Sequence, residues 1–151
     1  MIYTELTKKA MNLAFKKHLN QIDKSGLPYI FHPVHIAEQM DDEDSVIVAL
    51  LHDVMEDTQT DINELRTYGF SETVIDALVL LTHNKKINYE TYIQNISQNP
   101  LATKVKIVDL QHNSDLSRLN IITSKDIARV QKYVESLNYL KEFTHSEISI
   151  K

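Results

Sequence analysis

Residues 46–57 read Val46-Ile47-Val48-Ala49-Leu50-Leu51-His52-Asp53-Val54-Met55-Glu56-Asp57, an unbroken apolar run that leads straight into a group of ionisable side chains. An element that is apolar on every face belongs in the middle of a core. On a helix His52 and Glu56 stand four residues apart on one face, as do Asp53 and Asp57. A core has no use for such a cluster, because buried charges are costly unless they are paired or bound to a metal. The segment therefore predicts a buried helix whose end carries a functional site.

Composition bounds what can surround that helix. A chain of 151 residues, 42% apolar and 25% charged, has room for one domain with one sizeable core. It contains no cysteine, which excludes a disulfide framework, a thiolate zinc site and a cysteine nucleophile, and agrees with a reducing, cytoplasmic setting. No basic segment leads into an apolar stretch at Met1-Ile2-Tyr3-Thr4-Glu5, and no apolar run reaches membrane-spanning length, so neither export nor a membrane partner is expected. The net charge is -5 and the lysines are scattered, which argues against a nucleic-acid partner. A small phosphorylated ligand needs only a few local cations or a metal, and stays compatible. Oligomeric state is not legible, since a pairing face looks like any amphipathic face.

Two glycines and three prolines leave few sharp turns, and apolar residues recur at helical spacing along most of the chain, so the fold class is all-α. Helices are expected over Thr4 to about Leu19, Pro33 to Met40, and Glu43 to Met55 with Asp42 as cap. Asp61 and Ser71 read as caps of a short helix ending near Tyr68-Gly69 and of a longer one through Val74, Leu78 and Leu81. Tyr89 to Ser97 gives a further helix, Pro100 opens another, and the last runs from Ser124 to about Phe143, where Thr123 and Asp126 resemble a capping box.

One helix cannot close a metal shell, because adjacent residues point about 100° apart. Histidine nitrogen and carboxylate oxygen suit Mn, Fe or Zn, so further donors are needed from elsewhere. His32, at the loop-to-helix junction Tyr29-Ile30-Phe31-His32-Pro33, and Asp109, within the apolar stretch Val105-Lys106-Ile107-Val108-Asp109-Leu110, are the candidates.

Three motifs now stand in order: Pro28-Tyr29-Ile30-Phe31-His32-Pro33, Leu51-His52-Asp53-Val54-Met55-Glu56-Asp57-Thr58, and Lys106-Ile107-Val108-Asp109-Leu110-Gln111-His112-Asn113. Together they resemble the HD-type hydrolase domain of the stringent-response alarmone enzymes, and in particular the stand-alone small alarmone hydrolases. The resemblance covers roughly residues 3–119. It implies a compact helical bundle of the HD type over residues 1–151, with the helix at about 124–143 added after the motif-bearing part. It further implies that His32, His52, Asp53 and Asp109 bind one divalent ion, usually Mn2+ with Fe2+ or Zn2+ also fitting the donors, and that Glu56 with Asp57 positions and activates water. The reaction implied is metal-dependent removal of the 3′-diphosphate from guanosine 3′,5′-bis(diphosphate) (ppGpp) or its pentaphosphate, yielding pyrophosphate and GDP or GTP. Lys24, Ser25 and Asn113 match substrate-binding positions.

Two positions depart from that pattern. Asp23 stands where the family usually carries an arginine that packs on the guanine, and Leu110 stands where a basic residue commonly follows the metal-binding aspartate. A carboxylate at 23 offers no stacking guanidinium and repels phosphate, so an Asp23→Arg exchange is expected to raise activity toward the alarmone. The same departures leave open a hydrolase for another nucleotide or phosphoester, and a metal-binding nucleotide sensor without turnover. Alarmone synthesis is not expected, because in the bifunctional relatives it resides in a further domain.

Bland roles compete with the chemical ones. Lys24 and Ser25 also suit a solvated turn before Gly26, and Glu56 and Asp57 could cap a helix or pair with lysines. His18 is expected to hydrogen-bond in the interior. His35, His83 and His145 read as surface or structural residues, and Tyr89 and Tyr92 as packing.

Overall fold

Side-chain caps set most of the helix starts. Thr4 accepts the Thr7 amide at 3.1 Å and opens α1 (Glu5–Lys17). α2 spans Phe31–Ala37, and Asp42 accepts the Ser45 amide at 2.8 Å to open α3 (Glu43–Leu51). α4 is the short Val54–Asp57. Asp61, Ser71, Asn88 and Asn99 then cap α5 (Ile62–Thr67), α6 (Glu72–Leu81), α7 (Tyr89–Ser97) and α8 (Pro100–Asn113) in the same way. A single 3-10 turn, Leu116–Arg118, leads from α8 toward α9 (Ser124–Ile150). The structure, a computed structural model, describes residues 1–150, with side chains through residue 144. His145 lies outside the described side chains.

α3 is the axis of the core. Every residue from Ser45 to Leu51 is buried, and the helix packs against α1, α2, α6 and α8. Each fully buried valine, leucine or isoleucine there contributes roughly 1.5–3 kcal/mol relative to exposure, which is why an element polar on no face can occupy this place. α8 lies between this core and α9, whose Leu140 is fully buried. Among the described residues there is no sheet, only an isolated antiparallel bridge between Ile22 and Pro28 that ties the ends of the loop after α1. Gly26 turns that loop with φ +84°, a backbone conformation that a side chain would strain.

Several boundaries differ from the sequence expectation, among them the end of α2, which falls at Ala37 and not Met40. α2 begins at Phe31, so Pro33 sits third in the helix, still within the turn whose N–H groups have no ladder partner. α9 continues past Phe143 to Ile150. The helix expected to run through Met55 instead ends at Leu51, and a turn at His52–Asp53 separates it from α4. The cause is local: His52 Nδ1 lies 2.6 Å from the Ala49 carbonyl, the acceptor that an unbroken helix would offer to the Asp53 amide.

Candidate active site

The break in the chain after Leu51 re-aims two side chains at once. With His52 Nδ1 bonded to a carbonyl, that nitrogen carries the proton, and the neutral ring presents the Nε2 lone pair to the other side. Nε2 faces Asp53 Oδ2 at 2.9 Å and Asp109 Oδ1 at 3.4 Å. It is buried and lacks the alignment of a hydrogen bond to either oxygen. His32 reaches the same point from α2, its Nε2 3.0 Å from Asp109 Oδ1 and 3.7 Å from Asp53 Oδ2. Ligand atoms of His32, His52 and Asp109 all lie within 4.8 Å of one another.

A lone pair aimed at carboxylate oxygens repels them unless a cation lies between. The protein alone can supply a proton: burial opposes charging His52, but the carboxylates of Asp53 and Asp109 outweigh it and raise its pKa well above the usual histidine range. In turn Asp109 is held well below the ordinary carboxylate range, against burial, by Lys106 and the two histidines, and Asp53 is lowered chiefly by His52. A divalent ion fits the same position better, since it meets two imidazole nitrogens and carboxylate oxygen at once. The orphaned Nε2 and the donor set therefore suit a metal centre, and Asp53 Oδ2 lies beside the three-residue cluster.

Neighbouring groups fix these side chains. Tyr29 donates its hydroxyl to Asp53 Oδ2 and is held neutral, its pKa raised first by burial and then by Asp53. Lys106 Nζ lies 2.8 Å from Asp109 Oδ2, and Asn113 Nδ2 donates to Asp109 Oδ1 at 2.9 Å. His112 Nδ1 is 2.7 Å from His32 Nδ1. Burial and Arg118 push the His112 pKa down to about 4, so it orients the His32 ring as a neutral partner.

A cavity of about 450 Å3 opens over the cluster, lined by the carboxylates of Asp53, Glu56, Asp57 and Asp109 and by Lys24, Lys106 and Lys132. Burial raises the pKa of Glu56, with Asp53 and Asp57 adding to it, while the His83 amide, which donates to Glu56 Oε1 at 2.8 Å, opposes the rise. Asp57 is raised likewise by burial and by Asp53. Carboxylates shifted toward neutrality beside a metal position are suited to accepting a proton from water.

All nine candidate residues of the sequence reading lie around this region, but they do not act alike. Lys24 lines the cavity, whereas Ser25 lines only a second cavity beside it and donates to Asp23. Asn113 lines both cavities while bonded to Asp109. Leu110 turns into the core, fully buried, in a setting where a basic side chain would lose its water. His18 is buried with Nδ1 2.8 Å from Gln21 Oε1, as expected. Tyr92 packs with its hydroxyl bonded to the Leu81 carbonyl at 2.6 Å, and Tyr89 lies under Lys132, whose Nζ is 3.8 Å from the ring centre. His35 stacks on His112 at the surface.

Tyr29, Lys106 and His112 lie inside the quoted motifs without an assigned role, and His83, expected as a surface or structural residue, fixes Glu56 through its backbone amide. Arg118, Arg129 and Tyr133 carried no motif at all, yet they line the second cavity.

An all-helical bundle with a buried His-His-Asp cluster beneath an acidic wall has the architecture of an HD-type hydrolase. No protein-family profile matches the chain. It is 33% identical over 147 residues to the guanosine-3′,5′-bis(diphosphate) 3′-pyrophosphohydrolase MESH1 of Danio rerio, covering 87% of this chain and 80% of that protein. The MESH1 of Mus musculus is 34% identical over 141 residues, covering 84% of this chain and 78% of that one. A guanosine-3′,5′-bis(diphosphate) 3′-pyrophosphohydrolase of Aquifex aeolicus is 32% identical over 123 residues, but this chain spans only 18% of its length. Among solved structures, a metazoan ortholog of SpoT described as hydrolyzing ppGpp superposes with a TM-score of 0.76 at 20% identity, over 93% of this chain and 87% of that one, which shows the shared fold. This chain belongs to the guanosine-3′,5′-bis(diphosphate) 3′-pyrophosphohydrolase family, in the small form of MESH1.

Proposed function

We propose that this protein removes the 3′-diphosphate of guanosine 3′,5′-bis(diphosphate) or the pentaphosphate, releasing pyrophosphate and GDP or GTP. The observation that carries the reading is the placement of Glu56 and Asp57 in one cavity with Asp53, Asp109 and three lysines. The names of the full-length relatives supply the substrate. Residues 1–151 act in this reading as one HD-type unit.

His32, His52, Asp53 and Asp109 would hold one divalent ion, most suitably Mn2+, with Fe2+ or Zn2+ admitted by the same donors. When bound, such an ion stabilises charge on the phosphoryl oxygens and makes nearby water more acidic. The protein's own groups do the rest. Glu56, fixed by the His83 amide, accepts the proton of the attacking water, and Asp57 orients that water from the neighbouring position. The water oxygen joins the phosphorus that carries the ribose 3′ oxygen, the bond from that phosphorus to the 3′ oxygen breaks, and the 3′ oxygen leaves with the proton that Glu56 took from the water. Lys24, Lys106 and Lys132 lie where they offset the charge of the departing pyrophosphate.

Asp23, a carboxylate within the adjoining cavity, favours as a second reading a phosphohydrolase for another nucleotide. The test is release of phosphate and pyrophosphate by the Mn-loaded protein across the guanosine alarmones and a panel of ordinary nucleotides. Pyrophosphate release confined to the alarmones is expected. Turnover of other nucleotides alone would transfer the function to the second reading, and metal binding with no turnover would make the protein a sensor.

A further inference from the structure

Beside the acidic cavity lies a second one of about 230 Å3, which shares Lys24, Tyr29, Asn113 and Tyr133 with it. It contains neither Glu56 nor Asp57 and touches the metal cluster only at His32. A nucleotide whose reacting diphosphate lies over the cluster has room for its remainder here, past the shared residues. Asp23, Arg118 and Arg129 wall this outer space.

Arg118 is held there without being used up. Its Nη1 lies 3.5 Å from Asp23 Oδ2, its Nη2 donates to the His112 carbonyl at 3.2 Å, and its Nε is buried with no partner. Asp23 divides its work. Oδ1 accepts from the Ser25 amide at 2.8 Å, the Ser25 hydroxyl at 2.6 Å and the Leu27 amide at 3.1 Å, while Oδ2 is left to the guanidinium. The loop after α1 and the 3-10 turn after α8, 95 residues apart in sequence, are thus joined across the cavity by one ion pair.

We infer that Arg118 is a substrate-binding residue for the nucleoside 5′-diphosphate end of the substrate, and that Asp23 is the positioning residue that presents it. The inference rests on the hydrolase reading for which end reacts. A guanidinium fixed through both Nη atoms keeps a second N–H on each, and meets phosphate oxygens in its own plane at little entropic cost. The expectation for Asp23→Arg then reverses: an arginine at 23 loses the three loop hydrogen bonds and confronts Arg118 with like charge.

The test measures equilibrium binding of GDP and of guanosine to the Mn-loaded protein by calorimetry, alongside alarmone kinetics. Arg118→Ala is expected to weaken GDP about tenfold or more, the loss of a charge-assisted contact, and to leave guanosine unchanged. KM for the alarmone should rise in parallel with little change in kcat. Arg118→Gln, closer in size, guards against a folding defect and should behave alike. Asp23→Asn keeps an acceptor for the loop and should show a smaller loss in the same direction, whereas Asp23→Arg should lose more. GDP affinity within about twofold of the parent in both Arg118 variants would overturn the assignment, as would equal losses for GDP and guanosine. A parent protein that binds GDP through Arg118 but releases no pyrophosphate would sink the hydrolase reading and leave this one standing.

Discussion

Lys106 and Asp109, three residues apart on α8, bring an ammonium and a carboxylate oxygen to 2.8 Å with side chains only 13% and 4% exposed. Asp109 thereby spends Oδ2 on the lysine and keeps Oδ1 for His32, His52 and Asn113. Breaking a buried pair strands the remaining charge, so Lys106→Met should destabilise the metal-free protein by about 3–5 kcal/mol. A divalent ion at the cluster replaces part of the missing positive charge, so saturating Mn should recover part of that loss. Urea unfolding with and without Mn measures both. A loss under about 1 kcal/mol, or no recovery, would show that the lysine does not balance Asp109.

Asp53 and Glu56 should separate metal binding from turnover. Asp53→Ala removes a carboxylate next to the cluster and unpairs Tyr29, and should abolish both metal binding and pyrophosphate release. Glu56→Gln retains the acceptor for the His83 amide and loses only the proton acceptor, so metal stays bound while kcat falls by about 10²–10⁴. Metal content by emission spectroscopy, read beside single-turnover rates, distinguishes the two. Full turnover by Glu56→Gln would move the proton to another residue.

What the chain disclosed and what it withheld divide along sequence distance. His52, Asp53, Glu56 and Asp57 announced themselves because four ionisable side chains directly after a wholly apolar run have no place in a core. The caps Asp42, Asp61 and Ser71 were legible for the same local reason, as each acts on an amide three residues on. The turn at His52–Asp53 was not, since it depends on one imidazole taking a backbone carbonyl that helical periodicity assigns elsewhere. His83 was missed because its contribution is a backbone amide, which any residue possesses. Arg118 and Arg129 gave no signal because their meaning comes from Asp23 and from a cavity that forms only where the loop after α1, the turn after α8 and the start of α9 meet.

Leu110 tests whether the departure after Asp109 is structural. Its side chain is fully buried on the core face of α8, so Leu110→Ala should cost about 2–5 kcal/mol. Leu110→Lys, which introduces the type of residue common in the family, should be worse, since an unpaired ammonium replaces a packed leucine. Chemical denaturation of the metal-loaded protein measures the first. A Leu110→Lys variant as stable as the parent would mean that α8 can rotate this position to solvent.

Asp126 offers a pH dependence far from the metal ligands. Its Oδ2 accepts the Thr123 amide at 2.9 Å and the Thr123 hydroxyl at 2.8 Å, and its Oδ1 takes Arg129 Nη1 at 2.8 Å. The Thr123 amide, then the hydroxyl, then Arg129 lower its pKa from 3.8 to about 2. A group depressed in the folded state contributes stability that is complete above its unfolded pKa and disappears as pH falls through the folded value. The contribution should therefore be full above about pH 4 and gone below about pH 2. Asp126→Asn should be less stable than the parent at neutral pH, and the gap should close across that window. Because Arg129 lines the outer cavity, the same variant should also loosen GDP binding. Carboxyl-detected NMR gives the titration directly, and an ordinary value near 3.8 would remove the capping contact from the account of how α9 begins.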